Sequence, residues 1–288
     1  MSNKSIEQTT GKGRLPVLKI STPRSTAEIY LHGAHITHFQ KNGEPPLLFM
    51  SPQSWFEANK PIRGGIPICF PWFGSRGSEP SHGLARILTW EIFETSVTDG
   101  SVRVHLQLPQ KSLGQEWSAL KTEFIVTIAD MLTMELTTAN TSADKTLEME
   151  DCLHTYFHVG DIGAVTITGM QGASYLDNAA GGNGERKTDN EAVLKIAKET
   201  NRLYLNTSSA VGVRDEKLRR TIRVEKSGSK STVIWNPWTT QKMPEDFAPE
   251  NHQHMVCVES GNIKENKISL VPGQVTHLKA ILSSALLK

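Results

Sequence analysis

Apolar and polar residues alternate with a period of two along much of this chain. Between residues 101 and 108, Val102, Val104, Leu106 and Leu108 interleave with Ser101, Arg103, His105 and Gln107. Leu132, Met134 and Leu136 repeat the pattern against Thr133, Glu135 and Thr137. Val165 with Ile167, Ile222 with Val224 and, more loosely, Leu278, Ala280 and Leu282 continue it. Successive side chains of an extended strand point to opposite faces, so these segments predict half-buried antiparallel strands. Helical signals are few. The best lies at residues 51–56, where Ser51 can cap and Pro52 can open one short turn. Asn42-Gly43, Asp99-Gly100, Ser227-Gly228 and Pro272-Gly273 mark turns between strands. The polar, glycine-rich run DNAAGGNGERKTDNE at 177–191 reads as one long surface loop, with a lid as its functional alternative.

No composition shift and no fixed-period repeat divides the chain. A single all-β domain over residues 1–288 follows, one large β-sandwich, with a closed barrel as the competing architecture. Residues 1–14 read as a flexible polar N-terminus.

Charge and cysteine usage narrow the partners. Lys and Arg number 31 against 30 Asp and Glu, so no global field draws nucleic acid or an anionic membrane, and any anion site must be local. The opening MSNKSIEQTTGKGR lacks the apolar core of a secretion signal, and no apolar run reaches membrane-spanning length. Cys69, Cys152 and Cys257 are odd in number and share no spacing, which favours buried reduced thiols over a disulfide framework or a zinc site. The expectation is a cytoplasmic protein, a monomer or weak dimer, that acts on a small molecule.

Candidate chemistry sits in four stretches. LHTYFHVGD places His154 and His158 four residues apart. On a helix that spacing would set two imidazoles on one face, as a metal pair needs. The β-favouring flanks Thr155, Tyr156, Phe157 and Val159 argue for strand instead, where His154, Tyr156 and His158 also share a face. No further ligand lies at a recognisable metal spacing, which leaves a structural histidine or acid–base duty. In RGGIPICFPWFG, Arg63 opens an apolar run, and Gly64 and Gly65 would let backbone approach a ligand or simply form a tight turn. SHGLAR adds His82 and Arg86. With Arg63 they could form a local cationic pocket whose guanidinium forks suit sugar hydroxyls or a phosphate. In MVCVESGN, Glu259 ends an apolar strand, where a carboxylate is costly unless it is paired or working. Trp72, Trp235 and Trp238 suit stacking on a sugar ring and core packing equally.

The ordered set RGGIPICFPWFG, HGLAR followed by TW, LHTYF, WNPW and CVESGN resembles the glucose-6-phosphate 1-epimerase (hexose-6-phosphate mutarotase) branch of the aldose 1-epimerase family. The likeness runs from about residue 30 to the C-terminus. It implies a galactose-mutarotase-like β-supersandwich with one open cleft, a sugar or sugar-phosphate substrate, and neither metal nor cofactor in the chemistry. It also implies that His154 is the general acid, that Glu259 is the general base, and that Arg63, His82 and Arg86 face the substrate. One position departs. Relatives commonly carry aspartate in a T-D-x-x-Y segment that touches the sugar, whereas this chain reads Thr200-Asn201-Arg202-Leu203-Tyr204. Asn201 can still hydrogen-bond a hydroxyl but brings no charge.

The implied reaction needs one base on the C1 hydroxyl and one acid on the ring oxygen, so that the ring opens, C1 rotates and the steps reverse. An epimerase for unphosphorylated aldoses, and a sugar-phosphate-binding sensor with a weakened site, are the other readings that the same residues allow.

Overall fold

The computed structural model describes residues 5–287, and it is almost entirely antiparallel β-structure. Two large sheets form the body. The first has nine strands in the order Val193–Lys195, Val165–Thr168, Val211–Asp215, Arg220–Ser227, Val275–Leu286, Leu132–Asn140, Leu120–Ile128, Ser101–Gln107 and Glu91–Thr98. Every period-two segment read from the sequence lies in this sheet. Leu120–Ile128 and Leu132–Asn140 bury alternate residues without exception, because one face meets the core and the other meets water.

The second sheet has eight strands, ordered Glu185–Thr188, Ser174–Asp177, Thr200–Leu205, Ser231–Asn236, Met255–Asn262, Asp151–Leu153 and Ile68–Cys69, with Tyr156–His158 also pairing to the start of Met255–Asn262. Its central strands behave differently. Ser231–Asn236 and Met255–Asn262 are buried at every position. Their inner residues, among them Ile234, Val256 and Val258, join the core between the two large sheets. Their outer residues, Val233, Trp235, Met255 and Cys257, join a second apolar cluster with Cys69, Cys152, Tyr156, Leu203 and Leu205. Loops cover that outer face, and the cover leaves a cavity.

A four-stranded sheet, Ile6–Thr10, Pro16–Ser21, Ser25–Tyr30 and His35–Lys41, packs beside the nine-stranded one, tied by Ser25 Oγ to the Ala129 carbonyl and by Lys41 Nζ to the Ser284 carbonyl. A short pair, Leu147–Met149 with Ile268–Leu270, completes the structure.

Three local expectations change. Within the polar N-terminus, whose residues 1–4 lie outside those described, Ile6–Thr10 is a strand paired along its whole length with Pro16–Ser21. A 3-10 turn follows at Lys12–Arg14. The polar run at 177–191 is not one loop but a hairpin, with Ser174–Asp177 paired to Glu185–Thr188 and only the tip at 178–184 irregular. Residues 51–56 make a turn and no helix, and Ser51 Oγ spends its proton on the Asp246 carbonyl, 2.6 Å away. No α-helix occurs among the described residues, and no helix is long and apolar enough to cross a membrane.

Candidate active site

The cavity on the outer face of the eight-stranded sheet holds about 570 Å³. Strand register builds its floor. Glu259 pairs across to Val233 and Val233 to Leu203, while in the next row Cys257 pairs to Trp235 and Trp235 to Asn201. Because side chains alternate, Glu259 and Cys257 both point to the outer face, and Val256 and Val258 point into the core between the sheets. Gly261 lets the neighbouring strand close on this one. A Cβ there would sit 2.5 Å from the Asp151 carbonyl and 2.9 Å from Cys152 Sγ. That approach brings the Cys152 thiol to 3.6 Å from Glu259 Oε2, which accepts its hydrogen bond.

His154 reaches the same point from the break between Asp151–Leu153 and Tyr156–His158. Its amide donates to the Pro67 carbonyl, and its ring stacks on Tyr156 at 4.8 Å and meets His82 edge-on at 5.5 Å. Its Nε2 lies 3.3 Å from Glu259 Oε1. So a histidine and a glutamate 105 residues apart in sequence meet at the cavity wall.

Burial acts on the two in opposite senses. It pushes the Glu259 carboxyl well above the usual carboxylate range. It pushes the His154 imidazole well below its own, helped by His82 and by the positive charges of Arg86 and Arg63. In water a histidine holds its proton about two pKa units more tightly than a glutamate. Desolvation erodes that preference, because a neutral pair costs less to bury than an ion pair. Burial therefore narrows the gap between the two affinities and favours carboxylic acid with neutral imidazole over the ion pair.

Two arginines face the cavity in different states. Arg63 Nε donates to both Asp246 carboxylate oxygens, at 3.3 and 3.2 Å. Arg86 is 7% exposed and has no carboxylate partner among the described residues. Its Nη2 donates to the Ser81 carbonyl, and its Nε is buried with no acceptor. A buried guanidinium without an anion is an expensive arrangement, and it is directed at an open cavity. Lys242 and Lys264 line the same space, and Glu259 is its one acidic lining residue among those described.

All six residues marked in the sequence, Arg63, His82, Arg86, His154, Asn201 and Glu259, line this cavity. Three readings need correction. His82 does not add to the positive charge: burial and the two arginines push its pKa down to about 3, and its Nδ1 accepts from the Gly74 amide. Gly64 and Gly65 serve a turn rather than a ligand. Both have positive φ, and a Cβ on Gly65 would lie 2.3 Å from the Ile36 carbonyl. His158 does not line the cavity with His154; it ends the strand Tyr156–His158, and its carbonyl accepts from Arg220 at 2.6 Å. Of the three tryptophans only Trp235 lines the cavity, its Nε1 donating to Gln241; Trp72 packs on Trp117 and Trp238 on His252.

Lys242, Lys264, Gln241, Asn178 and the Asp246 that holds Arg63 went unmarked in the sequence. They lie in connecting segments with no periodicity, and only the fold brings them to the cavity.

Comparisons with known proteins point to one family. The family model described as aldose 1-epimerase matches residues 16–283. A protein of Cenchrus ciliaris provisionally named glucose-6-phosphate 1-epimerase is 31% identical over 269 residues, covering 90% of this chain and 81% of its own. A protein of Escherichia coli K12 with the same provisional name is 28% identical over 256 residues, covering 88% and 85%. The crystal structure of a Salmonella typhimurium protein, provisionally described as a mutarotase, superposes with a TM-score of 0.88 at 24% identity, covering 99% of this chain and 95% of that one.

Proposed function

The chain belongs to the aldose 1-epimerase family and is an isomerase; on that premise we infer that it interconverts the α and β anomers of a hexose 6-phosphate, glucose 6-phosphate foremost. The observation that carries the phosphate is Arg86, buried without a carboxylate and facing a cavity lined by two lysines and a second arginine. A dianionic phosphate supplies the counter-charge that Arg86 lacks, and guanidinium forks bind it better than a point charge does. The provisional names of the plant and Escherichia coli relatives support the same substrate.

The shared proton supplies the mechanism. In one form the pair is carboxylate and imidazolium. Glu259 removes the proton from the C1 hydroxyl while His154 protonates the ring oxygen, and the C1–ring-oxygen bond breaks to give the open-chain aldehyde. The pair is then carboxylic acid and neutral imidazole. After rotation about C1–C2, the ring hydroxyl returns its proton to His154, Glu259 protonates the carbonyl oxygen, and the ring closes as the other anomer. The pair carries one proton and no net charge at each resting stage. Burial that draws the two affinities toward each other is therefore what the cycle needs.

Asn201, beside Trp235 in the floor, donates to or accepts from a ring hydroxyl without adding a charge that would repel the phosphate. Trp235 and Tyr156 give the sugar ring apolar walls.

The test is a substrate panel. Freshly dissolved α-anomers of glucose 6-phosphate, glucose and galactose are followed by polarimetry with wild-type protein and with Arg86→Ala. Acceleration greatest for the phosphate, and lost with Arg86→Ala through a raised KM, supports the reading. Equal acceleration of free and phosphorylated sugars would place the protein among epimerases for unphosphorylated aldoses. Phosphate binding without acceleration would make it a sensor.

A further inference from the structure

Beside the proton pair lies a thiol that the proposed reaction does not use. Cys257 stands two residues before Glu259 on the same strand, so its side chain leaves the sheet on the same face, and it is fully buried. His154 Nε2 or Nδ1, Cys257 Sγ and a Glu259 carboxylate oxygen all lie within 4.8 Å of one another, with Nε2 and Oε1 at 3.3 Å. The geometry points to a site for a thiol-preferring divalent cation of the zinc class, held by His154, Cys257 and Glu259, whose occupation switches the epimerase off. It rests on the acid–base reading of this same site.

Donor chemistry selects the ion. One imidazole, one thiolate and one carboxylate are the ligand types that zinc takes in tetrahedral sites, whereas magnesium and calcium demand oxygen. With zinc bonds of roughly 2.0–2.3 Å, tetrahedral ligand atoms stand about 3.3–3.7 Å apart. The histidine–glutamate edge already has that length, and the thiol, within 4.8 Å of both, needs to close by at most about 1 Å. The fourth position opens on the cavity, where water or a sugar oxygen completes the shell.

Charge also balances, although Arg63 and Arg86 make the surroundings hostile to an added cation. Before binding, the thiol carries its proton and the His154–Glu259 pair carries one more, so the three groups are together neutral. Binding expels both protons, and a dication with one thiolate, one carboxylate and one neutral imidazole is again neutral. The arginines therefore see no extra charge. The metal takes the imidazole nitrogen and the carboxylate together, which removes the acid and the base in one step. Cys152, by contrast, reaches only Glu259, with its thiol at 3.6 Å from the carboxylate, and Cys69 lies behind it across the strand pair.

Binding and activity are read separately in the test. Cobalt(II), a spectroscopic substitute for zinc, is added to the purified full chain. The expected result is one metal per chain by equilibrium dialysis, with a thiolate-to-metal charge-transfer band in the near ultraviolet. Zinc should abolish α-glucose 6-phosphate mutarotation, EDTA should restore it, and magnesium should do neither. In Cys257→Ser the band disappears and zinc inhibits at least ~10-fold more weakly. Absence of the thiolate band in wild-type protein overturns the site, as does equal zinc inhibition in Cys257→Ser. Those outcomes leave the epimerase reading intact. A bound cobalt thiolate in a protein with no mutarotase activity at all would instead overturn that reading.

Discussion

The two faces of the eight-stranded sheet are built from the same strands and do opposite work. Along Met255–Asn262, Val256 and Val258 face inward to a closed apolar core, while on the outer face Cys257 lies in the second apolar cluster and Glu259 lines a cavity. The same division cuts through Tyr156–His158, where Phe157 is a core residue and Tyr156 a cavity wall. A sheet offers this separation at no cost in length, because neighbouring residues on a strand already point apart. What differs is the treatment of charge. The inner face is mostly apolar, its buried Asp151 carboxyl being met by Asn262; the outer face gathers charge in partially matched form, a carboxyl beside an imidazole and a guanidinium with no carboxylate partner among the described residues. Stability should therefore reside in one face and turnover in the other.

The largest effect that tests this division is on rate. His154→Ala should slow mutarotation of glucose 6-phosphate by about 100- to 10,000-fold at saturating substrate, with thermal stability little changed. A matching loss of stability, seen by calorimetry on the same sample, would mean that the outer face is structural after all.

One step along the chain and on the other side of the sheet, Phe157→Ala should do the reverse. Removing a fully buried ring from the core between the sheets costs about 3–5 kcal/mol. Urea unfolding would show it as a lower midpoint, while turnover per folded molecule stays close to wild type. A large drop in turnover at constant folded fraction would break the comparison.

Asp151 sharpens the treatment of charge. Like Glu259 it is a buried carboxyl raised by desolvation, here to about 7 from the usual 3.8. Unlike Glu259 it faces no cavity: Oδ1 accepts from the Asn262 amide and side chain at 3.1 and 2.9 Å, and Oδ2 is buried without a partner. The folded chain holds this proton more tightly than the unfolded chain does. Its contribution to stability is therefore full below about pH 4, falls as pH rises towards 7, and is level above that. The loss is at most on the order of 4 kcal/mol. Asp151→Asn should flatten that part of the pH–stability curve and leave turnover unchanged. An unaltered slope in the variant would mean that the carboxyl is ionised in the folded state.

The same contrast explains what could be read from the sequence. The nine-stranded sheet has one wet face, so its strands alternate, and residues 101–108 or Leu132, Met134 and Leu136 declare themselves. Ser231–Asn236 and Met255–Asn262 are buried on both faces and lose the alternation, so no periodic signal marks the sheet that carries the site. The site residues His154, Glu259, Arg63, His82 and Arg86 were legible through ordered motifs rather than through periodicity. Lys242, Lys264 and Asp246 were not, because each reaches the cavity from an irregular segment whose path depends on the folded sheet beneath it. The neutral state of His82 was hidden for a further reason: burial and two nearby cations decide it, and neither is visible in HGLAR. The N-terminal strand carried no signal in the sequence because its polar residues Glu7, Gln8 and Thr10 lie on a sheet exposed at its edge.

The central claim is that one proton, shared by His154 and Glu259, carries the anomeric exchange. Two-dimensional exchange NMR on equilibrated glucose 6-phosphate tests it most directly, since cross-peaks between the α and β C1 protons report interconversion without any net reaction. Wild-type protein should produce those cross-peaks and Glu259→Gln, folded and still binding the sugar phosphate, should not. Cross-peaks of undiminished intensity with Glu259→Gln would contradict the shared-proton mechanism.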